Sequence, residues 1–175
     1  KFQTALGERF YSENLVSPPA GSGEIYVTID RAEVFATLAE AGIALEDTFP
    51  YSVVDGMHYD QASGKLLHDG VIVTLHFTVE NVNATSPEHA WEPEFYEEYD
   101  FRADALGACT EGSKIYFSKH DACSGSYYAF HLEPGETTEF EVSYLVRLEN
   151  VPLESVVFQT ADTKNGGPWV DLNLK

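Results

Sequence analysis

The amino-acid sequence predicts an all-β protein, folded as an antiparallel β-sandwich in a single domain. Apolar and polar residues alternate with a period of two in about seven short segments, and Gly, Pro and Asp separate these segments. The 175 residues suit one domain, and the 43% apolar and 13% aromatic fractions can supply its core. Together these observations favour a packed sandwich over a disordered chain.

The alternation predicts each strand in turn. It is cleanest in 70–83, where every odd-numbered residue from 71 to 79 is apolar. In 113–119 it places Ile115 and Phe117 on the same face. The predicted strands are 24–34, 70–83, 113–119, 127–132, 139–147, 155–159 and 169–174.

A short helix around 37–41 is predicted as an insertion after the first strand. The surrounding residues are rich in Ala, Leu and Glu, Asp30 and Glu33 are spaced like a capping box, and Gly42 is a candidate stop. The alternative extends the first strand through Phe35 and leaves only a single turn.

Residues 1–22 are predicted to form an N-terminal arm or linker, because they end in the Ser/Pro/Gly-rich run 17–22. Residues 23–175 then form the sandwich domain. The chain begins at Lys1 and not at Met, so we expect a processed product whose signal peptide lay upstream.

The charge balance excludes some classes of partner. There are 29 acidic against 10 basic side chains, which gives a formal net charge of −19. Such a chain offers no basic patch for nucleic acid or for an anionic membrane surface. No segment approaches the roughly 18 consecutive apolar residues that would indicate a membrane span. An acidic surplus is typical of a secreted or surface-exposed protein.

Two cysteines, Cys109 and Cys123, lie in Gly/Ser-rich surroundings. In an oxidising compartment they would form a disulfide closing a loop of about 15 residues, which stabilises by about 3 kcal/mol in the chain-entropy model. The alternative is two reduced cysteines that never meet. The sequence has no C-x-x-C motif, so it does not favour a redox motif or a zinc ribbon.

Two segments resemble the DUF4352-type secreted or lipid-anchored bacterial proteins, an uncharacterised family. The strand 70–81 ends in Val79-Glu80-Asn81, like the family's "hydrophobic strand then V-x-N" segment. The run 132–137, Leu-Glu-Pro-Gly-Glu-Thr, resembles its "L-x-P-G-E-T" turn, and 155–158 fits the strand that follows.

The resemblance, which spans about 24–174, implies an immunoglobulin-like β-sandwich, secretion or display on a bacterial cell surface, and no catalytic residues. The lipid-bearing cysteine of such proteins would precede Lys1. Two parts depart from the family pattern: 31–65 is longer than a hairpin connection, and the acidic aromatic segment around Trp91 has no counterpart.

We therefore expect a non-enzymatic binding or structural module whose partner is an extracellular protein or a cell-wall glycan. The segment 88–104 is the predicted binding region, since it combines aromatic and acidic residues in a long connection. Its candidate ligand-binding residues are Trp91, Tyr96, Tyr99 and Phe101. The alternative is that these aromatic side chains cover the end of the sandwich as part of its core.

Calcium is the candidate cofactor for the same segment, because hard cations bind clustered carboxylates. The candidate metal ligands are Glu92, Glu94, Glu97, Glu98 and Asp100. The alternative is a solvated acidic loop, and no D-x-D-x-D-G motif occurs. A calcium- or carbohydrate-binding recognition module is thus the second hypothesis.

The sequence lacks the motifs of nucleophilic enzymes and of transition-metal sites. There is no G-x-S-x-G around a serine and no H-x-H or H-E-x-x-H among the histidines, so an enzyme or a transition-metal site is not favoured. His76 and His131 lie opposite the apolar stripes of their strands and are interpreted as partly exposed structural imidazoles.

Overall fold

The computed structural model describes residues 3–16, 22–49, 59–60, 62–86, 98–119, 128–161 and 168–175. These residues form an all-β fold, as predicted, with 3-10 turns at Glu13–Val16, Leu45–Asp47, Ala103–Leu106 and Leu153–Ser155. Within the described part of the chain, no helix has the length and apolar character needed to cross a membrane. In chain order the strands are β1 (Gln3–Ala5), β2 (Arg9–Tyr11), β3 (Ile25–Phe35), β4 (Gly70–Asn81), β5 (Asp100–Arg102), β6 (Gly107–Cys109), β7 (Gly112–Phe117), β8 (Ala129–His131), β9 (Thr137–Arg147), β10 (Val157–Thr160) and β11 (Trp169–Asp171).

The strands form two packed sheets with the order of an immunoglobulin sandwich. One sheet has the order β2-β3-β4-β9-β7 and the other has the order β1-β11-β10-β6. Without β1 and β2, these are the A-B-E-D and G-F-C sheets of the constant-type immunoglobulin fold. A separate pair joins β5 to β8, and the pairing of β1 with β11 is parallel.

Residues 3–16, predicted as part of an N-terminal arm, contribute one strand to each sheet. β1 pairs with β11 and β2 pairs with β3. Phe10, Leu15 and Val16 are buried in the core. Burial of these three side chains ties the segment to the domain, because each stabilises the fold by roughly 1.5–3 kcal/mol.

The main core lies between the two sheets and is rich in aromatic rings. Phe77 of β4 contacts Phe140 of β9 at 5.5 Å and Phe158 of the opposite sheet at 5.6 Å between ring centroids. Tyr144 is fully buried beside Phe158. These contacts confirm the predicted apolar faces of β4 and β9.

The predicted helix at 37–41 is wrong, and the alternative of a single turn is confirmed. β3 stays extended through Phe35 because Val34 and Phe35 pair with β4. Thr37 Oγ1 accepts the Glu40 N–H at 3.1 Å and starts one turn. Gly42, at φ +71°, ends this turn in a Schellman motif, which confirms the prediction of Gly42 as the stop.

The segment that follows β3 covers one end of the outer face of the five-stranded sheet. Leu38, Ile43 and Tyr59 pack there against Ile72 of β4 and Leu145 of β9, forming a second, smaller core. This half of the sheet is therefore buried on both faces. The other half of the outer face carries polar side chains.

Two β-bulges change which way side chains point. One lies at Asp30 in β3 and the other at Ile115 in β7. The bulge puts Ile115 into the second core while Phe117 enters the main core. The prediction that these two residues share a face is therefore wrong, because an extra residue in a strand reverses the alternation.

The two segments that carry the family resemblance contact each other at one end of the sandwich. Asn81, fully buried, donates from its amide to the Leu132 carbonyl at 2.8 Å and the Ala84 carbonyl at 3.1 Å. Its side-chain oxygen accepts the Ala84 N–H at 2.6 Å. The backbone of Asn81 also bonds to Gly135 and Glu136 in the turn before β9.

The predicted disulfide is not present. Cys109 is a free thiol, 3% exposed, and it packs inside the main core. Cys123 lies outside the described residues. Burial raises the pKa of the Cys109 thiol far above its usual range, as expected of a structural cysteine among apolar groups.

Candidate functional site

The polar half of the outer face contains a depression that we call the outer-face trench. It crosses β3, β4 and β9, and its volume is about 500 Å³. Phe77 and Phe140, whose side chains belong to the core, also contribute to its lining. The polar and charged residues of the trench are Asp30, Arg31, His76, Thr78, Ser118, Glu139 and Glu141.

Strand alternation explains why these side chains meet. Arg31 lies opposite His76 on the neighbouring strand, and His76 lies opposite Glu141 on the next one. Residues in register on antiparallel strands project from the same face and touch. A buried hydrogen bond of 2.9 Å between the hydroxyls of Thr74 and Ser143 separates this row from the covered half of the sheet.

The bulge in β3 supplies an additional carboxylate. Because Asp30 is the extra residue, both it and Arg31 project outward. The Thr78 hydroxyl donates to Asp30 Oδ2 at 2.7 Å, which fixes the position of that carboxylate in the trench. Arg31 Nε lies 3.4 Å from Glu33 Oε2.

His76 is held between two carboxylates. Its Nε2 lies 2.5 Å from Glu33 Oε2, and its Nδ1 lies 3.1 Å from Glu141 Oε1. The imidazole is only 12% exposed, whereas the two glutamates are 44% and 41% exposed. The hydrogen bond from His76 holds the pKa of the Glu33 carboxyl below its usual range. We call this group of three residues the histidine clamp.

The trench has an excess of negative charge. Glu139 is exposed at its rim and makes no ion pair within the described part of the chain. Asp30 accepts a hydrogen bond from the neutral hydroxyl of Thr78, so the charge of its carboxylate is also uncompensated. Arg31 also lines the trench. Its guanidinium lies within ion-pair distance of Glu33, which is not a lining residue.

The geometry suits charge recognition better than nucleophilic or acid–base chemistry. Both nitrogens of His76 face carboxylates, so neither is available as a base for Ser118. The Ser118 hydroxyl instead accepts the Glu141 backbone N–H at 2.8 Å. Glu33 itself does not suit the role of the general acid in glycoside hydrolysis, which needs a raised pKa, because the hydrogen bond from His76 lowers its pKa.

The described residues of the predicted binding segment divide between core and surface. Phe101 is 1% exposed and contacts Phe130, so its ring cannot stack on a ligand, and its assignment as a ligand-binding residue is wrong. Tyr99 is half-buried beside His131. Trp91 and Tyr96 lie outside the described residues.

The predicted metal site stays a prediction. Glu98 is exposed, and Asp100 Oδ1 lies 2.8 Å from His131 Nδ1. No group of three or more metal-ligating side chains is found among the residues that the structure describes. The remaining candidate ligands, Glu92, Glu94 and Glu97, lie outside the described residues.

Sequence reasoning missed the trench although two signals were visible. The first is the alternation in β4 and β9, which places their polar side chains on one face of the sheet. The second is the shift of the apolar residues in β3 from odd positions up to Ile29 to even positions from Ala32. Such a phase shift indicates a bulge.

Compared with models of protein families, with curated proteins and with solved structures, the chain matches none of them.

Proposed function

We propose that this protein is a non-enzymatic binding module that acts outside the cell or at the cell surface, and that it captures a positively charged partner protein in the outer-face trench. The observation that carries the proposal is a concave surface on a rigid sheet in which Asp30 and Glu139 keep uncompensated charge. Functional surfaces built on strands hold their side chains in fixed positions.

The net charge of the molecule supports the same proposal. A formal charge of −19 attracts a basic partner over long range and raises the rate of encounter. Within the trench, a lysine or arginine side chain would meet carboxylate oxygens on two sides, Asp30 from β3 and Glu139 from β9. Such a contact is charge-assisted and is stronger than a neutral hydrogen bond.

The test is binding of a fluorescent oligolysine peptide, measured by anisotropy at low and high salt. We expect Glu139→Gln to weaken binding about fivefold, since one lost charge contact near a surface is worth about 1 kcal/mol. Glu154→Gln, which removes an equal charge from the exposed turn before β10, is the matched control. Equal effects of the two substitutions would overturn the trench as the site.

A further inference from the structure

We propose that the basic segment captured in the outer-face trench carries an aromatic or other apolar side chain four residues from its lysine or arginine, and that this side chain packs on two tyrosines beside the trench. This inference rests on the proposed function, because it names the chemistry of the partner of the same site.

Two tyrosines extend the polar half of the outer face toward the edge of the five-stranded sheet. Phe10 of β2 is buried in the main core, so its neighbours Arg9 and Tyr11 project outward from this edge strand. Tyr11 lies opposite Tyr26 of β3. The centroids of the two tyrosine rings are 6.0 Å apart, and their planes meet at 66°. We call these two residues the tyrosine ledge.

The tyrosine ledge is held in place by charged neighbours. The guanidinium of Arg9 lies over the ring of Tyr26, 3.7 Å from its centroid, and Arg9 Nη2 lies 3.0 Å from Glu80 Oε2. The Tyr26 hydroxyl donates to Glu24 Oε2 at 3.3 Å. Because the ledge is already positioned, a partner that packs on it loses little free energy to ordering these side chains.

The tyrosine ledge suits a neutral side chain better than a second cation. Arg9 already occupies one face of Tyr26, where a lysine or arginine of the partner would otherwise lie. Tyr11 is 41% exposed and is among the few large apolar side chains that the described part of the chain leaves in solvent. Aromatic rings are enriched in protein interfaces because each buries a large apolar area.

The sheet register fixes the distance between the tyrosine ledge and the trench. Thr78 marks the middle of the trench, because it donates to Asp30 and lies opposite Glu139. Two strand spacings and two residues along the strand separate Tyr11 from Thr78, which amounts to about 12 Å. Four residues of an extended chain span about 13 Å, and side chains an even number of residues apart point to the same side. An extended partner with its cation between Asp30 and Glu139 therefore brings the fourth residue beyond that cation to Tyr11.

The experiment is an NMR titration of the isotope-labelled protein with three capped pentapeptides. Lys-Gly-Ser-Gly-Trp has the proposed spacing, Lys-Trp-Gly-Ser-Gly has the same composition with the ring next to the lysine, and Lys-Gly-Ser-Gly-Gly lacks the ring. We expect the first peptide to bind about fivefold more tightly than the other two, which is typical of one added aromatic contact. Equal affinities of the three peptides would overturn the inference.

Substitutions in the protein identify the residue that makes the contact. In Tyr11→Ser, the affinity ratio of Lys-Gly-Ser-Gly-Trp to Lys-Gly-Ser-Gly-Gly should fall to about one, and any general effect of the substitution cancels in this ratio. Leu67→Ser is the matched control, since Leu67 is 52% exposed but lies before the start of β4, whereas Tyr26 pairs near its end. This control should keep the wild-type ratio. A wild-type ratio in Tyr11→Ser would overturn the ledge as the contact.

Oligolysine separates failure of this inference from failure of the proposed function. If oligolysine binding depends on Glu139 while the tryptophan adds nothing, the ledge is overturned and the proposed function stands. If Glu139→Gln and its control Glu154→Gln weaken oligolysine binding equally, the proposed function is overturned, and the partner chemistry inferred from it is overturned as well.

Discussion

Asn81 shows how a single buried amide fixes the shape of one end of the molecule. Its side chain serves three backbone groups, the N–H and the carbonyl of Ala84 and the carbonyl of Leu132. All three contacts are buried, so water cannot replace the amide if it is removed. The residue therefore joins the end of β4 to the turn that precedes β9.

We expect Asn81→Ala to lower the free energy of unfolding by about 2–4 kcal/mol, because buried backbone groups lose their hydrogen-bond partner. Urea denaturation measures the change. Asn150→Ala is the control, since that exposed amide makes only a 3.5 Å contact with Glu111 and its loss should matter by less than about 0.5 kcal/mol. Equal losses in the two variants would contradict this interpretation.

Tyr144 contrasts with Asn81, because its buried hydroxyl is not paired with another polar group in the described part of the chain. Its side chain is fully buried, and its hydroxyl has no hydrogen-bond partner within the described part of the chain. We expect Tyr144→Phe to raise the free energy of unfolding by about 1 kcal/mol, because the ring stays packed and an unsatisfied group disappears. A loss of stability in thermal or urea denaturation would show that the hydroxyl has a partner in solution.

The histidine clamp also has an effect on stability in acid. Since the pKa of Glu33 is lowered by His76 in the folded protein, the clamp stabilises above the unfolded pKa of a glutamate. That stabilisation is lost as the pH falls through the lowered value. We expect Glu33→Gln to be less stable than wild type at about pH 7, and we expect this difference to shrink as the pH falls below the unfolded pKa of a glutamate. A stability difference that persisted in acid would contradict the assignment.

At the scale of the element, glycines decide how closely two strands approach. Gly107 of β6 has φ +141°, and a Cβ there would lie 2.1 Å from the Gln159 carbonyl oxygen of β10. We expect Gly107→Ala to cost more than about 3 kcal/mol, whereas Gly42→Ala, with open space around it, costs about 1 kcal/mol for its positive φ. Similar losses by the two variants in urea denaturation would show that β6 can move away.

The strands themselves were largely predictable, because a period of two persists over enough residues to be recognised. Each of the seven predicted strands has a counterpart in the structure. β1, β2, β5 and β6 were missed, because each has three residues and the alternation does not continue beyond them. The equally short β8 and β11 were found because the alternation continues into the residues that flank them. The two bulges depend on how strands pair, which alternation along one strand does not reveal.

The candidate site was harder to predict than the fold. Its residues come from β3, β4 and β9, apart from Ser118 directly after β7, and only the sheet register brings them together. The sequence instead predicts a binding region at 88–104, where aromatic and acidic residues are dense along the chain. A surface assembled across strands has no such local density.

At the scale of the whole molecule, the acidic surplus acts against the compact state. With a net charge of −19, like charges repel one another, and salt screens this repulsion. We expect the melting temperature to rise by roughly 3–6 °C between about 20 and 500 mM NaCl, which corresponds to about 1–2 kcal/mol. Glycine betaine, a zwitterion with no net charge, is the control at the same concentration, and an equal rise with it would argue against repulsion as the cause.

The parallel pairing of the first and last strands has a mechanical consequence. β1 and β11 run side by side in the same direction. A force that pulls the chain outward at the start of β1 and at the end of β11 therefore slides the two strands past each other along their length. Their hydrogen bonds then share the load and break together, whereas antiparallel partners pulled apart from one end would open one bond at a time. The pair of β1 and β11 at the edge of the four-stranded sheet is thus arranged to resist tension. The rate of unfolding under force measures that resistance.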